Sequence, residues 1–234
     1  VRALLAQGRP VRALVHRDRQ ALSGLDVETA SADLTDPTSL RRAFDGAEVV
    51  YHLASAISIN MGGWTQIEET NVAGTRNVAA ACLACGVRRL VYFSSIHAYQ
   101  QEPLDQPLTE DRPLLTEKDI PPYVRSKAAA ELVAREAARR GLETVIVIPT
   151  AIIGPNDYRP SLLGQALQLL ASGRIPALVR GGYDWVDVRD VVDGAIRAEQ
   201  LASSGARYIF SGHWRSLREL ASIVSQTSGQ PAPP

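Results

Sequence analysis

Tyr123 and Lys127 stand four residues apart in Pro121-Pro-Tyr-Val-Arg-Ser-Lys-Ala-Ala-Ala-Glu131, at the start of a stretch that reads as helix. That spacing puts both side chains on one helical face, about 6 Å apart at the backbone. A phenol beside an ammonium is a ready proton donor, because the positive charge favours phenolate and lowers the Tyr pKa. The chain has two lysines, Lys118 and Lys127, against 23 arginines, so the pairing is not a by-product of abundant lysine. The plainer alternative is a surface helix with a Tyr in its first turn. Ser94 and Ser95 follow the apolar run Leu90-Val-Tyr-Phe93. A hydroxyl just past the carboxyl end of a strand stands at the usual ligand crevice of an α/β sheet. Ser, Tyr and Lys could therefore meet at one carbonyl or carbinol oxygen. The competing role for the two serines is to end the strand and satisfy loop backbone groups.

The elements that must position these residues alternate. Strands are predicted near residues 11–15, 27–30, 48–53, 88–94 and 142–148. Helices are predicted over 37–44, 68–85 and 123–140, with Asp36 as N-cap and Pro37 at the first helical position of the first of these. Gly86 and Gly141 close the other two, and residues 96–120 read as an irregular, Pro-rich loop. Such alternation across residues 1–150 is the pattern of a parallel sheet covered on both faces. Beyond it, 160–172, 187–202 and 217–226 suit helices and 207–210 a strand. The expected organisation is a dinucleotide-binding domain over 1–150 and a mixed substrate-lobe segment over 151–234, with elements returning to the first domain.

Composition narrows the classes. The 234 residues are 45% hydrophobic and carry no formal net charge, which offers no broad electrostatic case for nucleic acid or an anionic membrane. No apolar run approaches membrane-spanning length and no export signal appears. Cys82 and Cys85 are spaced C-x-x-C, but inside an Ala-rich helical stretch, where small core-facing residues fit better than zinc or redox chemistry; no metal is expected. The expected compartment is the cytoplasm. Val1, Leu4 and Leu5 have helical spacing before Gly8, so the chain reads as starting inside a helix. Gly229-Gln-Pro-Ala-Pro-Pro234 reads as a linker, and both ends are expected to be cut.

Taken together, the segments resemble the extended short-chain dehydrogenase/reductase family, in its epimerase/dehydratase and dihydroflavonol-reductase-like group. The resemblance is carried by Ala32-Asp-Leu34, Val49-Val-Tyr-His-Leu-Ala-Ser55, Asn71-Val-Ala-Gly-Thr-Arg-Asn-Val78, Val91-Tyr-Phe-Ser-Ser95, Tyr123-Val-Arg-Ser-Lys127, Pro149 with Gly154-Pro155, and Trp185-Val-Asp-Val-Arg-Asp-Val191. It implies a Rossmann-type, doubly wound parallel sheet binding a nicotinamide cofactor, with a small lobe over the substrate. It also implies that Ser95 orients the substrate oxygen, Tyr123 exchanges its proton, and Lys127 holds the nicotinamide ribose and depresses the Tyr pKa. Asp33 and Leu34 would lie beside adenine. Leu53, Ala54 and Ser55 would line the pyrophosphate and ribose side, and Asn71 would support the active-site backbone. Pro149 and Ile152 complete the implied cofactor set. Two features depart from the family: the G-x-x-G-x-x-G phosphate loop is missing, and so is the central first strand. Strands 11–15 and 48–53 are then expected to leave a gap or to be pulled together, with the fragment unstable and the cofactor cleft open.

The resemblance also orders the reactions. Ser95-Ile96-His97 stands where the dehydratase branch carries Thr-Asp-Glu, and Gly181-Gly-Tyr-Asp-Trp-Val186 lacks an arginine to clamp a sugar diphosphate. Gly154-Pro-Asn-Asp-Tyr-Arg-Pro-Ser161 looks more like the dihydroflavonol-reductase-like and hopanoid-associated members. The preferred reading is reduction of a ketone or aldehyde; the alternatives are a sugar epimerase and a non-catalytic dinucleotide-sensing protein. His97, Tyr158, Tyr183 and Trp185 are candidate substrate contacts, whereas His52 reads as packing and Asp187 and Asp190 as helix-start bracing. The expected partners are a small-molecule substrate and, at most, a second copy of the chain. Arg17, at the end of the first strand here, favours NADP over NAD, since a guanidinium suits a 2′-phosphate. Arg17→Ala or Arg17→Asp should therefore weaken NADP binding relative to NAD by roughly 10–150-fold. The ratio of the two dissociation constants measures this, and an unchanged ratio rejects the NADP preference.

Overall fold

The computed structural model describes residues 1–16, 18–57 and 63–234. The chain divides into two compact units, residues 1–148 with 194–209, and residues 149–193 with 210–234. The first unit opens with α1 (Arg2–Ala6), β1 (Arg12–Val15), β2 (Glu28–Ser31), α2 (Pro37–Phe44) and β3 (Val49–His52). A short helix α3 (Trp64–Ile67) runs through a π-helical turn, Glu68–Ala73, into α4 (Gly74–Ala84). Then come β4 (Arg89–Phe93), α5 (Pro122–Arg139) and β5 (Glu143–Pro149). All five expected strands and two of the expected helices are present within a residue or two of their predicted bounds, and the helix expected over 68–85 begins four residues earlier, at Trp64. The starts follow from local chemistry: Asp36 Oδ1 accepts from Thr38 N at 2.9 Å with Pro37 next in line. Gly141, at φ +96°, takes the left-handed position past the end of α5 that a side chain would strain.

The strands pair in parallel. β1 pairs with β2, and β3, β4, β5 and β8 (Arg207–Phe210) form a second ladder in that order. Among the described residues β1 and β3 share no ladder, so each is the edge of its own sheet. This is the gap that the strand order leads one to expect between them. Leu90, Val91, Val145, Ile146, Val147 and Ile148 are at most 1% exposed, which explains why β4 and β5 read as unbroken apolar runs. One sheet face packs Leu90, Tyr92, Ile146 and Ile148 with Leu40, Phe44, Val78, Cys82, Ala130 and Ala134 of the helices. On the other face Val145 packs with Ala198 and Ala202, near the end of α7 (Val188–Leu201). Cys82 is fully buried, and burial pushes its thiol up to about 12, so it behaves as a small apolar residue.

The second unit holds a three-stranded sheet that the sequence reading did not anticipate. Its strands are β6 (Ala151–Ile153), parallel to β7 (Gly182–Asp187), and β9 (His213–Ser216), antiparallel to β7. These strands are short and lack clean alternation, so period alone does not reveal them. α6 (Leu162–Ala171) and α8 (Leu217–Ser228) belong to the same unit. α8 starts on a Ser216–Glu219 capping box and is closed by Gly229 at φ +73°. Asp187 Oδ1 accepts from Arg189 N at 2.8 Å at the start of α7, the bracing role expected of it. Among the described residues no helix is long and apolar enough to cross a membrane.

Core substitutions should separate from surface ones accordingly. Ile146→Ala, at a 1% exposed position, should cost about 2–5 kcal/mol in a urea titration. Leu104→Ala, at an 85% exposed position, should lie within about 0.5 kcal/mol of the parent.

Candidate active site

Two elements build the site, the carboxyl end of β4 and the first turns of α5. Pro121 and Pro122 start α5, because proline suits the first helical positions, and this sets Tyr123 in the opening turn. The Ala128-Ala-Ala130 run then favours helix, so Tyr123 and Lys127 share a face. At the strand end, Ser94 N donates to Val147 O at 2.8 Å, the last rung toward β5. Ser95 is extended and caps a single 3-10 turn, Ile96–Ala98, its Oγ accepting from His97 N at 3.3 Å. Ser95 thus does end the strand, the role read as the alternative for it.

Lys127 meets the end of β4 at Phe93, two residues before Ser95, and Tyr123 stands one turn before Lys127 on the same helix; Ser95 and Lys127 are buried and Tyr123 partly so. Burial raises the Tyr123 pKa, with the Ser95 hydroxyl acting in the opposite sense. The expectation that Lys127 lowers the Tyr123 pKa is not met. The reason is geometric: Lys127 Nζ donates to Phe93 O at 2.7 Å and lies 5.4 Å from the centroid of the Tyr92 ring. Lys127 is 5% exposed, and burial brings its ammonium down to about 8, with the Glu131 carboxylate acting in the opposite sense. His52 is buried beside it, with Nε2 3.0 Å from Thr75 Oγ1 and its ring tilted against Tyr92. Burial first, then Lys127, hold His52 down to about 4, so it is neutral near pH 7 and acts as packing.

A second set of contacts holds the loop after β3. Asn71, in the π-helical turn, accepts from Ala56 N at 2.7 Å and donates to Ala56 O at 2.9 Å and to Ser126 Oγ at 2.9 Å. Ser126 Oγ in turn donates to Tyr123 O at 2.7 Å. Asn71 is 2% exposed and joins the loop to the helix that carries Tyr123. π-Helical turns of this kind recur at functional sites. Leu53 and Ala54 are exposed past the end of β3. Ser55 Oγ beside them is buried and has no hydrogen-bond partner among the described residues. Asp33 accepts from Thr35 N and Oγ1, both at 2.8 Å, and lies 3.2 Å from His16 Nε2. Leu34 O accepts from Asn77 Nδ2 at 2.8 Å, and a Cβ on Gly74 would stand 3.0 Å from Leu34 Cβ, so glycine there lets this turn lie close on α4. Arg17 lies outside the described residues.

The profile of the NAD dependent epimerase/dehydratase family matches residues 1–209. The chain belongs to that family. It is 39% identical over 238 residues to sterol demethylase protein B of Methylococcus capsulatus, covering 100% of this chain and 71% of that protein. It is 31% identical over 244 residues to a 2-alkyl-3-oxoalkanoate reductase of Stenotrophomonas maltophilia, covering 98% and 72%. The crystal structure of gox2253 superposes with a TM-score of 0.92 at 33% identity, covering 100% of this chain and 72% of that one. The fold is thus the Rossmann-like, NAD-binding fold of a family of enzymes that includes reductases, dehydratases and epimerases.

Of the remaining sequence candidates, His97 belongs to the first unit and five belong to the second. His97 is exposed on the 3-10 turn after Ser95. Pro149, Ile152, Tyr158, Tyr183 and Trp185 belong to the second unit. There Trp185 is 8% exposed, meets Tyr183 edge-on at 5.3 Å between ring centroids, and donates from Nε1 to Arg215 O at 3.3 Å. Tyr158 OH donates to Asn156 Oδ1 at 2.8 Å. Sequence reasoning missed Ala56 and Ser126, which hold Asn71, and Tyr99, Glu131 and Arg135, which with Ser94 form the hydrogen-bonded group one turn beyond Lys127. One signal was available for Glu131, which continues the Tyr123 and Lys127 spacing by a further four.

The Lys127 pKa makes a stability prediction with a definite sign. Its folded value, about 8, lies below its ordinary 10.5, so between the two the unfolded chain binds more protons and stability rises with pH. Measured against Lys127→Met at each pH, the parent should be flat below about pH 7.5. It should then gain stability from about pH 8 upward. Melting temperatures that keep a constant difference from pH 6 to 10 reject the buried-ammonium assignment.

Proposed function

We propose that the protein is an NAD(P)-dependent oxidoreductase that reduces a ketone or aldehyde of a small-molecule substrate and, in reverse, oxidises the alcohol. The observation that carries this reading is Lys127 Nζ donating to the Phe93 carbonyl at 2.7 Å, at the strand end that carries Ser95, with Tyr123 one turn before it on the same helix. The reductase named among the similar proteins supports the same direction. Preference for NADP is part of the proposal and rests on Arg17.

The residues present fit a nicotinamide cofactor. Among the described residues Ser55 Oγ, past the end of β3, is a buried hydroxyl without a hydrogen-bond partner, and such a group costs free energy unless another atom completes it. Ser55, the exposed Leu53 and Ala54, Asp33, Leu34 and Lys127 are the residues that would hold the dinucleotide. When bound, the nicotinamide supplies or accepts the hydride. The chain's own groups manage the oxygen. Ser95 orients the substrate carbonyl oxygen by a hydrogen bond. Tyr123, kept protonated at neutral pH by burial, gives that oxygen its proton. Lys127, an ammonium below about pH 8, would hold the nicotinamide ribose.

Tyr123→Phe keeps the ring and removes the proton. Turnover on a panel of ketones and secondary alcohols should fall by ~10²–10⁴-fold, while the dinucleotide dissociation constant stays within about twofold. Parental turnover in this variant would falsify the assignment of Tyr123 as the acid.

A further inference from the structure

Glu131 lies one helical turn beyond Lys127 and two beyond Tyr123, on the same face of α5. It is fully buried. Ser94 Oγ donates to its Oε2 at 2.5 Å and Tyr99 OH to its Oε1 at 2.5 Å. Arg135 donates to Oε1 from Nε at 3.0 Å and from Nη2 at 2.5 Å. A carboxylate taken out of water is costly unless it is both paired and hydrogen-bonded, and here it is both. The partners also form a pattern. Phe93 O accepts from Lys127 Nζ and Ser94 Oγ donates to Glu131. Two consecutive residues at the end of one strand, just before Ser95, are thus joined to two successive turns of the helix that opens with Tyr123.

We infer that Glu131 is a positioning residue: through Ser94 it holds the strand end that carries Ser95 against the helix that carries Tyr123 and Lys127, and its carboxylate stands one turn from the Lys127 side chain. This rests on the proposed oxidoreductase reading. The groups facing Lys127 are Tyr123 and Glu131 from its own helix, Tyr92 from β4 and His52 from β3. His52 is neutral above about 4 and burial raises the Tyr92 phenol, so near pH 7 neither carries charge. Among the described residues Glu131, with Arg135 behind it, is what remains to oppose the burial of the ammonium.

The chain's two lysines make the test direct, since ¹³C-lysine labelling gives two side-chain signals and Lys118→Arg assigns them. In Glu131→Gln the Lys127 signal should titrate at lower pH than in the parent. The alkaline limb of the pH–kcat profile should move the same way, and kcat should fall by about 10–100-fold. Ser94→Ala, which breaks the link but keeps the charge, should lower kcat and leave the Lys127 titration in place. Glu136→Gln, an exposed charge removed from the same helix, should change neither. A folded Glu131→Gln protein with parental titration and profile overturns the inference. If Glu131→Gln does not fold, Ser94→Ala with parental kcat overturns it instead. A Lys127 signal that moves in Glu131→Gln while Tyr123→Phe stays fully active upholds the coupling and overturns the catalytic reading alone.

Discussion

The junction between the end of β4 and the inner face of α5 is where a buried ammonium and a buried carboxylate are held together. Lys127 and Glu131 are 5% and 0% exposed, one turn apart. Neither would be tolerated alone in an apolar interior. Each is made tolerable by specific partners: the Phe93 carbonyl for the ammonium, and Ser94, Tyr99 and Arg135 for the carboxylate. Those partners come from the strand end, the loop after it and the helix itself. Satisfying the two charges therefore fixes the register between the strand end that carries Ser95 and the helix that carries Tyr123.

The rest of the first unit supports that junction. β4 is central because β3 and β5 pair on either side of it, and its apolar residues are covered by helices. The loop after β3 is tied to α5 by Asn71, whose amide is used on both sides, by Ala56 and by Ser126. A side chain that satisfies two backbone groups of one element and a hydroxyl of another leaves little freedom between them. The π-helical turn around Asn71 is a local departure from the α-helices that flank it. The arrangement costs stability at one point, the Lys127 ammonium, whose burial opposes its charge. Residues of this kind are retained for what they do, since an apolar side chain would pack more favourably.

Much of this was legible in the chain before any coordinates. The alternation of apolar runs with helical stretches, Asp36 and Pro37 at a helix start, and Gly86 and Gly141 at helix ends are local signals, and local sterics and hydrogen bonds decide them. The types and spacing of Ser95, Tyr123 and Lys127 were equally local, and so was the resemblance that gave them roles. Tertiary structure alone decided what depends on burial and on distant partners. The direction of the Tyr123 pKa reversed the expectation, because Lys127 turned toward a backbone carbonyl of β4 rather than toward the phenol. The sheet of β6, β7 and β9 arose from pairings between segments some 30 residues apart, in strands too short to show a period. Glu131 read as one more charge on a helix until the fold enclosed it, because spacing can align a carboxylate with a lysine but only packing removes both from water.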